Sequence, residues 1–161
     1  MKKFDKKIQI RIIKITLIIV WMVIVFCFSN QGGTKSSNTS RKVTVAVVQV
    51  VSDRTIEEDE PLLENIEKII RKLAHYTIYA VGGFLIMNYA YTTNRKTKEK
   101  VFYSTAFGIG YAVTDELHQF FVVGRSARIF DVCIDALGIV TGIGIYVIMR
   151  KAIERLKDKA V

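Results

Sequence analysis

The sequence predicts an all-α fold: an integral membrane bundle of four transmembrane helices, with an extracytoplasmic loop and an amphipathic helix between the first two. Three observations carry that expectation. Long runs contain no charged side chain. Half of the 161 residues are hydrophobic, and there is a single Pro. The 24 Lys and Arg, against 15 Asp and Glu, gather in short pieces between the apolar runs. The length fits one domain over residues 1–161. Such apolar content excludes compositional disorder, and two cysteines exclude a disulfide scaffold.

The first helix is expected at 10–28, because residues 15–34 carry no Asp, Glu, Lys or Arg, and about 20 apolar residues cross a hydrocarbon core. Lys2, Lys3, Lys6 and Lys7 before it resemble the start of a secretory signal. The run lacks a small-x-small cleavage pattern, however, and reads as a retained helix anchored by Trp21, with Arg11 and Lys14 snorkelling inward. A loop follows. Its 32–40 part (GGTKSSNTS) is turn-forming, and 43–51 (VTVAVVQVV) reads either as a short strand or as a segment packed on the membrane surface or the bundle.

Acids at 57–60 and then Pro61 suit the start of a helix, where fixed φ and the positive end of the dipole favour both. Leu62, Ile66, Ile69, Ile70 and Leu73 recur at helical spacing, so an amphipathic helix leads into helix two at 74–92, within the charge-free run 73–94. Helix three, 101–121, extends the charge-free run 101–114. Helix four, 127–149, carries Arg128, Asp131 and Asp135 near its start.

Charge sets the orientation. With the amino terminus inside, residues 1–14, 93–100 and 150–161 sum to +11 and the outer pieces 29–73 and 114–135 to −2. Both termini are therefore expected in the cytoplasm. The basic excess reads as a topological signal, so no nucleic-acid partner is expected.

Polar chemistry collects at one depth. Arg71, Lys72, His75, Tyr76 and Tyr79 fall at the outer end of helix two, Asp115, Glu116, His118 and Gln119 at the outer end of helix three, and Arg125, Arg128, Asp131 and Asp135 lead into helix four. Lys72, His75, Tyr79 and Gly82 share a helical face, as do Asp115, His118 and Gln119 on helix three and Asp131, Asp135, Gly138 and Gly142 on helix four. Ionisable groups at membrane depth are costly and are usually paired or functional, so one shared polar site is expected. The glycines permit close helix packing. Cys27 and Cys133 lie near outer helix ends and are expected to be free thiols. Tyr89, Tyr91, Phe102 and Tyr103 are expected as an inner aromatic belt, with Phe120 and Phe121 outside.

Residues 71–83 (RKLAHYTIYAVGG), 114–125 (TDELHQFFVVGR) and 131–142 (DVCIDALGIVTG) resemble, in order and spacing, the three signature blocks of the VanZ-like family of bacterial membrane proteins. Phe28, Ser29, Asn30 and Gln31, with Ser36, Ser37 and Ser40, resemble that family's exit from the first helix. Two positions depart from the pattern: Val123 stands where Pro is common, and Asp135 where Asn is common. The extra carboxylate at Asp135 must be protonated or paired with a nearby Arg or Lys. The resemblance implies a multi-pass protein of the bacterial cytoplasmic membrane and cell envelope, and an association with resistance to teicoplanin-type lipoglycopeptides, without supplying a molecular activity.

Three readings of the polar set follow. In the first, Lys72, Arg125 and Arg128 hold an anionic headgroup at the outer leaflet, with backbone N–H groups near Ser126, while Asp115, Glu116, His118 and Gln119 orient them or bond a sugar or peptide. Expected partners are membrane lipids, an undecaprenyl-linked wall precursor or the lipoglycopeptide itself, and a homodimer is compatible. In the second, His75 or His118 beside carboxylates is a general base or a metal ligand in hydrolysis or phosphoryl transfer on a lipid headgroup. The spacing matches no recognised metal motif, and no cofactor is expected. In the third, Asp115, Arg125 and Asp131 form an interhelical ion-pair network that only holds the bundle in register.

Overall fold

A computed structural model describes residues 5–30, 41–46, 61–125 and 128–159. Four long helices, α1 (Lys6–Ser29), α2 (Pro61–Ala90), α3 (Thr97–Phe120) and α4 (Ile129–Lys159), make up nearly all of it, and no strand forms among the described residues. The turn-forming 32–40 stretch, residues 47–60 and Ser126 lie outside these residues.

Local chemistry sets the helix ends. Asp5 caps α1, its side chain accepting from the Lys7 N–H at 3.2 Å. Pro61 opens α2, where its missing N–H costs no hydrogen bond, and Glu64 in the first turn pairs with Lys68 at 2.7 Å. Lys157 and Lys159 sit in the last turn of α4, next to its negative dipole end. After α3, Gly124 adopts φ 77°, a left-handed conformation that glycine takes without strain, and turns the chain toward α4.

The amphipathic segment and helix two are one continuous 30-residue helix. Its buried face differs from the expected stripe: Leu63 and Glu67 are buried, while Ile69 and Leu73 are exposed. Residues 43–46 of the ambiguous apolar segment are helical, with Thr44 fully buried, so packing there overrides the strand preference of its β-branched residues, and 47–51 lie outside the described residues.

The tightest pair is α2 with α4, and α2 also packs on α1 and α3. A Cβ at Gly142 would overlap the Ala80 carbonyl, one at Gly138 the Tyr76 carbonyl, and one at Gly83 the Ile139 carbonyl. These glycines let two backbones touch. Trp21 is a core residue, not an interfacial anchor. It is 3% exposed, its ring lies over Gly82 and against Tyr79 and Tyr111, and its indole N–H donates to the Ile78 carbonyl at 2.8 Å. The Tyr111 hydroxyl returns a bond to the Met22 carbonyl at 2.7 Å.

By length and composition α1 and α4 can cross a membrane, and much of their outward surface is apolar, including Ile13, Val23, Phe28, Leu137 and Ile148. Neither α2 nor α3 passes the same test. The expectation of four spanning helices therefore holds for two by this measure. The cause is polar residues turned inward, among them His75, Tyr79, Asn88, Asp115 and Glu116, which dilute the apolarity of helices packed between neighbours.

The helices alternate in direction, so the start of α1, the α2–α3 turn and the end of α4 meet at one end. Arg11 donates to the Thr92 carbonyl and Lys14 to the Asn88 carbonyl, both at 2.9 Å, and Arg150 lies over the Tyr91 ring. Tyr91 is thus packed against Tyr146 rather than standing only in a belt, whereas Phe102 and Tyr103 are exposed. The described parts of the three most basic pieces of the chain lie here. The polar set lies at the opposite end.

Candidate functional site

Four elements build the polar end: the exit of α1, the first half of α2, the end of α3 with the turn after it, and the start of α4. Alternation of direction brings them together, and helical spacing selects which side chains face inward.

One hydrogen-bonded chain links two of these elements, the end of α3 with its turn and the exit of α1. Gln119 donates to Asp115 at 3.0 Å, the Arg125 guanidinium donates to Gln119 at 2.8 Å, and its other nitrogen donates to the Phe28 carbonyl at 3.0 Å. Asp115 and Gln119 are buried. Arg125 thereby ties the α3–α4 turn to the last turn of α1, whose carbonyls lack helical partners. Burial works against its charge and lowers its pKa, while Asp115 and Glu116 act the other way and Arg71 adds to the lowering. It remains a cation at neutral pH.

Three other contacts complete the end. Buried Glu116 accepts from the Arg128 backbone N–H at 2.6 Å, which ties α3 to the entry of α4. Lys72 lies 3.9 Å from Asp131 and over the Phe130 ring. His75 Nδ1 stands 3.6 Å from Asp135, too far for a hydrogen bond. The group that faces Asp135 is thus a histidine, whereas the sequence offered either a protonated Asp135 or a nearby Arg or Lys. Tyr79, fully buried, lies within the electrostatic reach of both Asp115 and Asp135. Asp115, Glu116, Asp131 and Asp135 are near enough to act on one another.

Satisfaction is incomplete in the same place. Buried polar atoms without a hydrogen-bond partner include the Ser29 and Tyr79 hydroxyls, His118 Nε2, Asp131 Oδ1 and both Asp135 carboxylate oxygens. Buried polar groups in proteins are ordinarily bonded, and a carboxylate 1% exposed with neither oxygen used is costly to leave so. These atoms want hydroxyl, amine or water partners.

The ten expected residues do not form one uniform set. Lys72, His75, Tyr79, Asp115, Glu116, Gln119, Arg125, Asp131 and Asp135 converge, but His118 turns toward α1 and stacks on Phe26 at 4.7 Å. Arg128 contributes its backbone, and its side chain is exposed. No group of three or more His, Cys, Asp or Glu takes a metal-holding arrangement among the described residues. Cys27 and Cys133 are free and exposed.

Three participants were not predicted as site residues. Ser29 and the Phe28 carbonyl come from α1, and their sequence signal is the resemblance of residues 28–31 to the family's exit from the first helix. Glu67, buried and 3.3 Å from Arg71, adds an ion pair one turn before Lys72; its i,i+4 spacing is visible in the sequence.

A model of the VanZ/LLP1 family matches residues 14–150, a span containing every residue of this site. No curated protein and no solved structure matches the chain.

Proposed function

The chain belongs to the VanZ/LLP1 family, and from that premise we propose that it is a multi-pass membrane protein of the bacterial cell envelope, both termini cytoplasmic, whose polar end binds a ligand at the outer leaflet. Four helices span in this reading, α2 and α3 being shielded by their neighbours. The basic pieces gathered at the other end support that orientation. The ligand class is an anionic lipid-linked species, such as an undecaprenyl-linked wall precursor, or a lipoglycopeptide of the teicoplanin type, and contact with either links the protein to lipoglycopeptide resistance.

The observation that carries this reading is the group of unused buried polar atoms beneath a cationic rim. Lys72, Arg71 and Arg125 supply positive charge above, and Asp131, Asp135, Tyr79 and Ser29 supply acceptors and hydroxyls below. A ligand with both an anionic group and several hydroxyl or amine donors satisfies both layers. A structural network alone has to satisfy the lower layer with water. A homodimer is compatible with this arrangement.

A second reading is a lipid-headgroup hydrolase or phosphoryl transferase, with His75 oriented by Asp135 as general base. It is favoured by the 3.6 Å approach of those two side chains.

The test is teicoplanin and vancomycin susceptibility in a host expressing wild type, Asp115→Asn or Arg125→Ala, with membrane abundance measured in parallel. Loss of teicoplanin protection in abundant mutants is the expected result. Protection lost only in proportion to abundance would favour a purely structural network.

A further inference from the structure

A second site lies at the basic end. There α1, α2 and α3 leave a groove of about 650 Å³ between them, lined by Ile15, Ile18, Ile19, Met22, Ile86 and Phe107 among others. That volume lies within the ~300–1,000 Å³ typical of ligand pockets. Its lining is mostly apolar, with Thr93, Ser104, Tyr89 and Tyr103 as polar members, and its two cations, Arg95 from the α2–α3 turn and Lys100 from the start of α3, make a charged rim. Arg95 lies over the ring of Tyr103, itself in the lining, at 4.5 Å, while Lys100 lies over the Tyr91 ring, outside the lining, at 4.6 Å.

We propose that this groove holds one acyl chain of an anionic phospholipid of the cytoplasmic leaflet, with the headgroup phosphate bound by Arg95 and Lys100. Bilayer tails are already in hydrocarbon, so an acyl chain gains packing in the groove but no transfer energy. Selectivity must therefore come from the rim. Four basic residues within 95–100 against the one acid Glu99 make that rim complementary to phosphate, in the leaflet where juxtamembrane basic residues meet anionic lipid. The fork of Arg95 suits phosphate oxygens. The inference rests on the membrane orientation proposed above and not on the polar site at the other end, whose residues it does not use.

The test is native mass spectrometry of the full chain in detergent, titrated with phosphatidylglycerol or phosphatidylcholine of the same chains. One bound phosphatidylglycerol retained at least about fivefold over phosphatidylcholine is expected, a ratio that corresponds to roughly 1 kcal/mol. Arg95→Gln with Lys100→Gln should abolish the preference. Ala106→Phe, at an exposed position in the lining, keeps both cations but fills the groove and should reduce retention.

Equal retention of the two lipids overturns the proposal, as does retention unchanged by Ala106→Phe, which would leave only a headgroup contact. A lipid-free dimer would make the groove an interface between copies and overturn it too. Helicity and melting temperature of each variant, matched to wild type, exclude misfolding as the cause of a loss. Teicoplanin susceptibility unchanged in the Arg95, Lys100 variant separates this site from the one at the outer end.

Discussion

Asp135 is the residue on which the account turns. A carboxylate 1% exposed, with both oxygens unused and only a histidine 3.6 Å away, adds little to stability and demands a partner. Asp135→Asn should therefore leave the unfolding free energy unchanged or raise it, by up to about 2 kcal/mol, since it removes a charge from a dry site. Thermal melting in detergent checks this, and a fall of more than about 1 kcal/mol would assign Asp135 to a structural ion pair with His75. Trp21 is the opposite kind of residue. Its N–H bond to the Ile78 carbonyl and its ring over Gly82 join α1 to α2. Trp21→Phe should cost about 1 kcal/mol for the bond alone, read by the same melt. The sequence placed Trp21 at an interface because aromatic residues near apolar ends usually sit there, and nothing local reveals that Gly82 lies opposite it. His118 stacks on Phe26, one helical step from the inward face of Gln119, a placement that spacing alone does not reveal.

Among the elements, α2 and α4 form the axis of the bundle through glycines at close backbone contact. A methyl at Gly142 meets the Ala80 carbonyl, whereas one at Gly144 meets nothing within 4 Å. Gly142→Ala should cost about 1–3 kcal/mol by forcing the helices apart. Gly144→Ala, two residues on, should be neutral or slightly stabilising, by up to about 1 kcal/mol from helix propensity. Equal effects at both positions would mean that the α2–α4 contact is not backbone-tight. The glycine spacing on helix four was legible in the sequence, as was the helix start at Pro61, because these depend on local rules; helix three instead begins at Thr97, about a turn before the expected 101. The amphipathic stretch, read as leading into helix two, is one helix with it, and no helix-breaking residue lies between them. The buried face of that stretch escaped the pattern, since Leu63 and Glu67 are selected by neighbours and not by apolarity.

At the scale of the whole molecule, charge and fold agree. The most basic pieces of the sequence, far apart along the chain, meet at one end of the bundle through Arg11, Lys14, Arg150 and the α2–α3 turn. Charge counting alone made this legible, because it depends on where residues fall and not on how they pack. Membrane-impermeant maleimide applied to intact cells should label Val123→Cys and spare Asn94→Cys, in a chain carrying Cys27→Ser and Cys133→Ser. The reverse pattern would place the polar site in the cytoplasm.

The most direct test of that site is the melting of the purified chain in lipid nanodiscs, alone and with either an undecaprenyl-linked wall precursor or teicoplanin. A ligand that binds only the folded state stabilises it by about 2.7 kcal/mol at roughly 100 times its Kd. Wild type should gain stability of that order from at least one of the two ligands, and Arg125→Ala and Asp135→Asn should gain little. A wild-type melt that neither ligand moves, or a gain of equal size in all three proteins, would contradict the account.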